Sequence, residues 1–151
     1  MLQSIPRAPL ILGFAGLIPF VWGALTVLFP ALADWGVKTL GPRFAGPYVM
    51  LFYGAVILSF MSGVLWGFAI RLRGQAAAGY VLSVLPALWA FLMTGGGVTS
   101  AGLSLIAGFT VILGIDGWFA RQGVAPNWWL PLRLMLTAVV VTCLAIGVLF
   151  A

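Results

Sequence analysis

The stretch YGAVILSFMSGVLWGFAIRLRG, residues 53–74, decides how this chain folds. It stays apolar until Arg71 and Arg73 end it, and it is close to the roughly 20 apolar residues that a helix needs to cross a bilayer. Small side chains recur in it at every fourth position, at Ala55, Ser59, Gly63 and Gly67. Because residues four apart share one ridge of a helix, the stretch predicts a membrane-spanning helix with a smooth face against which a second helix can lie.

The composition of the whole chain favours the same environment. Of its 151 residues, 64% are hydrophobic and 6% are charged, whereas about a quarter of the residues of soluble domains are charged. Seven basic and two acidic side chains do not supply the polar shell of a water-soluble fold, but a bilayer accepts an apolar exterior. We therefore predict an all-α integral membrane helical bundle, with residues 1–151 forming a single polytopic domain.

Five apolar segments are long enough to be spans, at residues 8–32, 47–70, 76–94, 98–119 and 132–151. They predict five transmembrane helices. The alternative is four spans plus a re-entrant hairpin, in which the uncharged link TGGGVTS at 94–100 turns back within the membrane. Pro19 and Pro86 fall inside segments and should kink their helices.

The basic residues are distributed unequally between the two sides of such a bundle. Five spans place Lys38 and Arg43 on one side, and on the other Arg7, Arg71, Arg73, Arg121 and Arg133. The positive-inside rule then predicts a cytoplasmic N-terminus and a periplasmic C-terminus. The excess of arginine over lysine, with abundant Gly and Ala, is typical of GC-rich bacterial genomes, so we expect a bacterial inner (cytoplasmic) membrane.

Small residues mark the faces where helices approach one another closely. The series of residues 53–74 is repeated in the fourth segment by Ser100, Ser104 and Gly108. Lipid provides no hydrophobic drive between helices, so close backbone contact must hold them together. We expect these small residues to pack helices of this chain together, and the alternative is that they form a docking face for a partner subunit. The residues concerned are Ala55, Ser59, Gly63, Gly67, Ser104 and Gly108.

Asp116 is the one acidic residue close to a span, in ILGIDGWFARQG at 112–123. A carboxylate at that depth is costly unless it meets a cation or reaches the interface. We expect a structural ion pair that locks the fourth span to the loop after the second, through Arg71 or Arg73. A proton or ion relay is the alternative. The remaining basic residues, Arg121 and Arg133 among them, are expected to pair with Asp116 or to contact lipid headgroups.

The segment RQGVAPNWWLPLR, residues 121–133, combines prolines, tryptophans and arginines. This mixture is typical of chain at the headgroup level of a membrane. It predicts a short interfacial linker before the last span, with Trp128 and Trp129 as interface anchors.

The residue types exclude most site chemistry. The chain has no histidine, a single cysteine and two separated aspartates, so a zinc site, a bis-histidine haem site, a carboxylate pair and a serine triad cannot be assembled. We expect no enzyme activity, metal or cofactor, although bound phospholipid is compatible with the sequence. Nucleic-acid binding is not expected, and no small-molecule substrate is identifiable. Ser59 and Ser62, beside Tyr53, are candidates for bonding a quinone or a lipid headgroup, but serines in membrane helices more often bond their own backbone.

Three motifs carry a resemblance to a known family: IPRAPLILGFAGLIPFVWGAL at 5–25, YGAVILSFMSGVLWG at 53–67 and WWLPLRLMLTAVVV at 128–141. Together they resemble the membrane family catalogued as domain of unknown function 3429, which is similar to the animal mitochondrial transmembrane protein 69. Members often carry a basic residue before the Trp-Gly of the second span, where this chain has Leu65. The resemblance implies a small multi-span inner-membrane protein of bacteria and mitochondria, with no assigned activity or site.

These observations favour a non-enzymatic accessory or assembly subunit that docks to a larger membrane complex and contacts membrane lipids. The respiratory chain is the favoured host by analogy, because the family looks shared between bacteria and mitochondria. The alternative is a small homo-oligomeric transporter or channel, which would need a polar pathway through the bundle.

Overall fold

The computed structural model describes residues 5–151 and is helical. Its helices are α1 (Arg7–Ala15), α2 (Ile18–Leu28), α3 (Pro30–Leu40), α4 (Gly46–Ala69), α5 (Ala76–Met93), α6 (Val98–Arg121) and α7 (Trp129–Phe150). A short 3-10 turn, Pro42–Phe44, precedes α4. Residues 5–151 contain no β-strand, and the all-α prediction is confirmed.

Five helices are long and apolar enough to cross a membrane. The first runs over Arg7–Leu28 and comprises α1 and α2, and the other four are α4, α5, α6 and α7. Residues 94–97 form the turn between two full helices, so the glycine-rich link is not a re-entrant hairpin. The prediction of five spans is therefore confirmed over the alternative of four.

The first span is broken where its proline predicted a kink. Helix α1 ends at Ala15, α2 begins at Ile18, and Pro19 lies in the first turn of α2, where a missing N–H costs little. Helix α2, which follows the break, packs against both α4 and α7, whereas α1, which precedes it, packs chiefly against α7. The break therefore leaves a wedge of space between α1 and α4.

Helix α5 continues through Pro86. The N–H of the following residue, Ala87, donates a 2.8 Å hydrogen bond to Ser62 Oγ of α4. A backbone donor beside a proline thus finds its partner on the neighbouring helix, as an apolar solvent requires. This bond ties α4 to α5.

Helix α4 occupies the centre of the bundle and contacts α2, α5, α6 and α7. The side chains at the centre are almost completely buried: Phe20, Met50, Leu58, Leu65, Leu105, Phe109, Ile112 and Leu144. Glycines bring the backbones together here. A Cβ atom at Gly54 would lie 2.9 Å from Leu105 Cδ1, and one at Gly102 would lie 2.6 Å from Val148 Cγ2.

The segment between α2 and α4 folds back onto the bundle at the end opposite the α6–α7 link. Trp22 Nε1 donates to the carbonyl of Phe44 at 2.6 Å, and Thr26 Oγ1 accepts from the N–H of Gly46 at 2.8 Å. Two side chains of α2 therefore hold the chain between the end of the 3-10 turn and the start of α4.

Candidate functional site

A cluster of polar loops lies at the end of the bundle where α4, α6 and their links meet. Arg71, Arg73 and Arg121 are exposed there, and Arg71 Nη1 donates to the carbonyl of Val124 at 3.3 Å. The α4–α5 and α6–α7 links enclose a polar pocket of about 590 Å³, lined by residues 71–75 and 122–124. Arg71, Arg73 and Arg121 were predicted to lie at the same membrane face, and they lie at the same end of the bundle. This surface is called here the Arg-rich end.

Asp116 lies inside the bundle, one turn and a half before the end of α6. Its side chain is 0% exposed, because it shares the inner face of α6 with Ile112 and Phe119. Arg133 Nε donates to its Oδ2 at 2.8 Å, and Trp129 Nε1 donates to its Oδ1 at 2.8 Å. Both carboxylate oxygens are thus bonded by α7, and the charge is neutralised inside the protein.

The expected lock between Asp116 and the loop after the second span is therefore wrong. Asp116 pairs with Arg133 of the last span, while Arg71 and Arg73 stay exposed at the Arg-rich end. The reason is the start of α7. This helix begins at Trp129 and not at 132, so Trp129 and Arg133 sit four residues apart on one helical face and reach α6 together.

The interfacial linker of residues 121–133 is correspondingly shorter than predicted. Arg133 is a buried residue of α7, and Trp129 serves as a hydrogen-bond donor to Asp116. Trp128 is half-buried immediately before α7, and its role as an interface anchor stays a prediction. The i, i+4 spacing of Trp129 and Arg133 was the available signal for this site.

Two polar atoms beside the ion pair have no hydrogen-bond partner. They are Arg133 Nη2 and Thr137 Oγ1, both completely buried. Three other helical threonines bond back to their own helix: Thr26, Thr110 and Thr142. The hydroxyl of Thr137 makes no such bond, although it is one turn from Arg133 on the same face of α7.

Arg133 and Thr137 are among the residues that line a cavity of about 340 Å³, called here the Arg133 cavity. It lies between the broken first span, α4, α6 and α7. Its lining residues are Pro9, Leu12, Gly13, Gly16, Leu17, Phe20, Ile57, Phe60, Met61, Val64, Phe109, Trp129, Leu132, Arg133, Leu136, Thr137 and Val140. Among them only Trp129, Arg133 and Thr137 carry polar side-chain atoms, and the Nε1 of Trp129 is already used on Asp116.

The arrangement places the unbonded Arg133 Nη2 and Thr137 Oγ1 beside an apolar cavity whose lining residues include no histidine, cysteine, aspartate or glutamate. Over residues 5–151, no group of three or more His, Cys, Asp or Glu side chains is placed to hold a metal ion. Ser59 donates to the carbonyl of Ala55 at 2.8 Å, and Ser62 is engaged by the N–H of Ala87. The two serines considered for a quinone or lipid headgroup therefore form bonds within the protein.

The family model described as "Protein of unknown function (DUF3429)" matches residues 5–149. The chain belongs to the DUF3429 family. It is 34% identical to transmembrane protein 69 of Xenopus tropicalis over 150 residues, which cover 93% of this chain and 53% of that protein. Its identity to the mouse protein of the same name is 29% over 143 residues, covering 91% and 54%. This DUF3429 chain thus spans about half the length of the curated relatives that it matches, and no solved structure matches it.

Two members of the small-residue series of α6, Ser104 and Gly108, pack inside the DUF3429 bundle, whereas Ser100 is exposed. A Cβ atom at Gly108 would lie 2.6 Å from Leu58 Cδ2 and 3.0 Å from Trp89 Cδ1. The carbonyl of Ser104 accepts a 2.7 Å hydrogen bond from Trp89 Nε1. Position 104 and position 108 therefore hold α6 close to α4 and α5.

The small residues of α4 are placed differently, and the expectation that this whole ridge packs within the chain is wrong. Gly63 and Gly67 are exposed, and a Cβ atom at either position would have nothing within 4 Å. Ser59 is also exposed, and Ala55 is half-buried. The packed face of α4 is the one that carries Leu58 and Leu65, so the glycine ridge is turned away from it.

Proposed function

We propose that this multi-pass membrane protein is a non-enzymatic accessory or assembly subunit that docks to a larger membrane complex. The observation that carries the proposal is the uncovered pair Gly63 and Gly67 on the central helix of the bundle. Helix α4 is covered by four other helices of the chain, yet a Cβ atom at Gly63 or Gly67 would have nothing of this chain within 4 Å.

A pair of glycines in the middle of a helix has a cost. Each glycine destabilises a helix by roughly 0.5–1 kcal/mol relative to alanine, and lipid would accept a larger apolar side chain at these positions. Small residues four apart let a second backbone approach closely and gain dispersion contacts. The exposed rings of Phe60 and Trp66 flank the ridge. A helix of a partner subunit fits this groove.

The Arg-rich end supports the same role. The side chains of Arg71, Arg73 and Arg121 are exposed, so they can meet anionic lipid headgroups or acidic loops of a partner. Arg133, in contrast, is engaged by Asp116 and is not part of this outer surface.

The membrane and host of this subunit are also part of the proposal. We favour the bacterial inner membrane, with the N-terminus cytoplasmic and the C-terminus periplasmic, because the Arg-rich end follows the positive-inside rule. The respiratory chain is the favoured host by analogy with a family that looks shared between bacteria and mitochondria.

Leucine at position 63 tests the docking face. Gly63→Leu should abolish stoichiometric copurification of the partner complex from gently solubilised membranes, because the side chain fills the groove, and its Cβ has nothing of this chain within 4 Å. Gly114→Leu is the matched control, since Gly114 is an exposed glycine inside α6 with nothing within 4 Å of its Cβ position. Equal copurification by the wild type and both variants, with unchanged unfolding, would refute the face.

A small homo-oligomeric transporter or channel is the second candidate. It is favoured by the broken first span, because transporters often place their sites at interrupted helices. Against it, the buried Thr26, Ser62 and Ser83 are each bonded within the chain and form helix–helix or local links. Native mass spectrometry discriminates the two: a homo-oligomer that mediates solute flux in vesicles supports transport, and a complex with foreign subunits supports the accessory role.

A further inference from the structure

We propose that the Arg133 cavity is a binding site for a neutral lipophilic carbonyl compound of the quinone type. The carbonyl oxygen of the ring accepts hydrogen bonds from Arg133 Nη2 and Thr137 Oγ1, and the tail leaves between α1 and α4. This site goes beyond the docking role and does not depend on it.

The first step is the pair of unused donors. Arg133 and Thr137 are 6% and 4% exposed, both residues line the cavity, and neither Arg133 Nη2 nor Thr137 Oγ1 has a hydrogen-bond partner. Both atoms are covered by neighbouring groups, so a ligand bonds them after a small shift of side chains in the cavity wall. A buried polar group left unbonded is unfavourable, and proteins rarely retain one without a reason. A carbonyl oxygen has two lone pairs, so a single ligand atom can accept from both donors.

The residues that line the cavity indicate that the ligand is lipophilic. The cavity surface is almost entirely apolar. Its open edge runs past Leu12 and Phe60, which are 71% and 65% exposed on the outside of α1 and α4. In a membrane this edge faces hydrocarbon, so a molecule dissolved in lipid reaches the site directly.

The charges of the side chains around the cavity indicate that the head group of the ligand is neutral. Arg133 is already balanced by Asp116, and no other charged side chain lines the cavity among residues 5–151. A carboxylate or phosphate would bring a third, unbalanced charge into a region of low dielectric, which is strongly unfavourable. A ring carbonyl gains the same hydrogen bonds without that cost.

Shape and lining favour a flat ring over the acyl chains of a phospholipid. The rings of Phe20, Phe60, Phe109 and Trp129 surround the space. Aromatic rings pack well against another planar ring in offset or edge-to-face geometry. The volume of about 340 Å³ is near the lower limit of roughly 300–1,000 Å³ for ligand pockets, which suits one ring and the start of one tail.

A second cavity, between α5 and α6, lacks the unbonded donors that distinguish the Arg133 cavity. The groove between α5 and α6, of about 430 Å³, is larger and equally apolar. Its polar group, Trp89 Nε1, is already bonded to the carbonyl of Ser104. That groove offers a ligand no free donor, so an acyl chain is sufficient to fill it.

The test uses the full chain purified alone in nanodiscs of phosphatidylcholine. Decylubiquinone, oleic acid and phosphatidylglycerol are the probes, and bound ligand is measured by native mass spectrometry over a titration. We expect saturable one-to-one binding of decylubiquinone. Thr137→Val, which keeps the shape and the ion pair, should weaken it roughly 3- to 10-fold, the effect of one hydrogen bond. Val64→Phe, which places a ring in the cavity, should abolish it.

The control variants lie on the same helices. Thr142→Val removes an exposed hydroxyl that bonds its own backbone, and Val56→Phe enlarges a lipid-facing residue two turns before Val64. Both should bind decylubiquinone like the wild type, and melting of each variant in the nanodisc shows that it is folded.

Three results would overturn the proposal. The first is non-saturable uptake of decylubiquinone, equal in all variants, which is partitioning into lipid. The second is tighter one-to-one binding of oleic acid or phosphatidylglycerol. Both probes carry a negatively charged head group, whereas the proposal requires a neutral one. The third is equal binding by Thr137→Val and the wild type. Because no partner complex is present, none of these results bears on the docking face of Gly63.

Discussion

Replacing Arg133 by leucine should lower the free energy of unfolding by about 3–5 kcal/mol. Leucine lacks the Nε–H that bonds Asp116 Oδ2 at 2.8 Å, and no other cation contacts this carboxylate in residues 5–151. Asp116 is 0% exposed, so solvent cannot compensate the charge. Only the 2.8 Å bond from Trp129 would remain. The loss is therefore that of an uncompensated buried charge, and not that of one hydrogen bond.

The double variant Asp116→Leu/Arg133→Leu separates charge from packing. A buried ion pair replaced by apolar side chains of similar volume is often neutral in stability, because two desolvation costs disappear together. Trp129 Nε1 would lose its acceptor, which costs about 1–3 kcal/mol. The double variant should therefore lie within about 1–3 kcal/mol of the wild type. It should be more stable than Arg133→Leu, although it carries one more substitution.

The measurement is reversible unfolding in mixed micelles, followed by circular dichroism, with the three proteins in parallel. Arg121→Leu is the control, because Arg121 is a basic residue of α6 with an exposed side chain and should change stability by less than about 0.5 kcal/mol. The reasoning is refuted if Arg133→Leu resembles Arg121→Leu. It is equally refuted if the double variant is less stable than Arg133→Leu, since the cost would then be one of packing.

Three further predictions concern packing and topology. Gly108→Leu should lower the free energy of unfolding by about 1–3 kcal/mol, because the new Cβ would lie 2.6 Å from Leu58 Cδ2. Gly67→Leu should leave the free energy of unfolding of the isolated chain unchanged or slightly raised, because its Cβ would have nothing within 4 Å. Ser62→Ala should cost about 1 kcal/mol and speed hydrogen exchange at the Ala87 amide, whose acceptor it removes; unaltered exchange there would contradict the link. Alkaline phosphatase fused to the C-terminus should be active and green fluorescent protein at the same place dark, and the reverse would overturn the proposed orientation.

Hydropathy was sufficient to predict the five spans, and Pro19 predicted a kink in the first span, which the structure shows as a break into two helices. The start of α7 was predicted too late because the residues before 132 have an interfacial composition. Trp129 is nevertheless recruited into the helix, where its Nε1 bonds a carboxylate on α6. That bond is tertiary, and the local sequence around Trp129 does not contain its partner.

The faces of the helices were harder to predict than their ends. In a soluble protein the buried and exposed faces of a helix differ in polarity, but in lipid both are apolar. Leu58 faces the core of the bundle and Phe60 faces outward, although both are large apolar residues of α4. A four-residue period of small residues therefore indicated a smooth ridge without indicating its direction. Gly108 packs within the chain, and Gly63 does not.

The choice of arginine at position 133 links the stability of the bundle to the proposed binding site. A lysine would present one compact charge, whose donors are all drawn towards Asp116. The planar guanidinium instead holds several N–H donors in fixed directions, so Nε can bond the carboxylate while an N–H of Nη2 remains for another group. Arg133→Lys should consequently retain most of the unfolding free energy that Arg133→Leu loses, yet lose affinity for decylubiquinone to about the extent of Thr137→Val. Equal affinity of the lysine variant and the wild type would show that the orientation of the guanidinium has no part in binding.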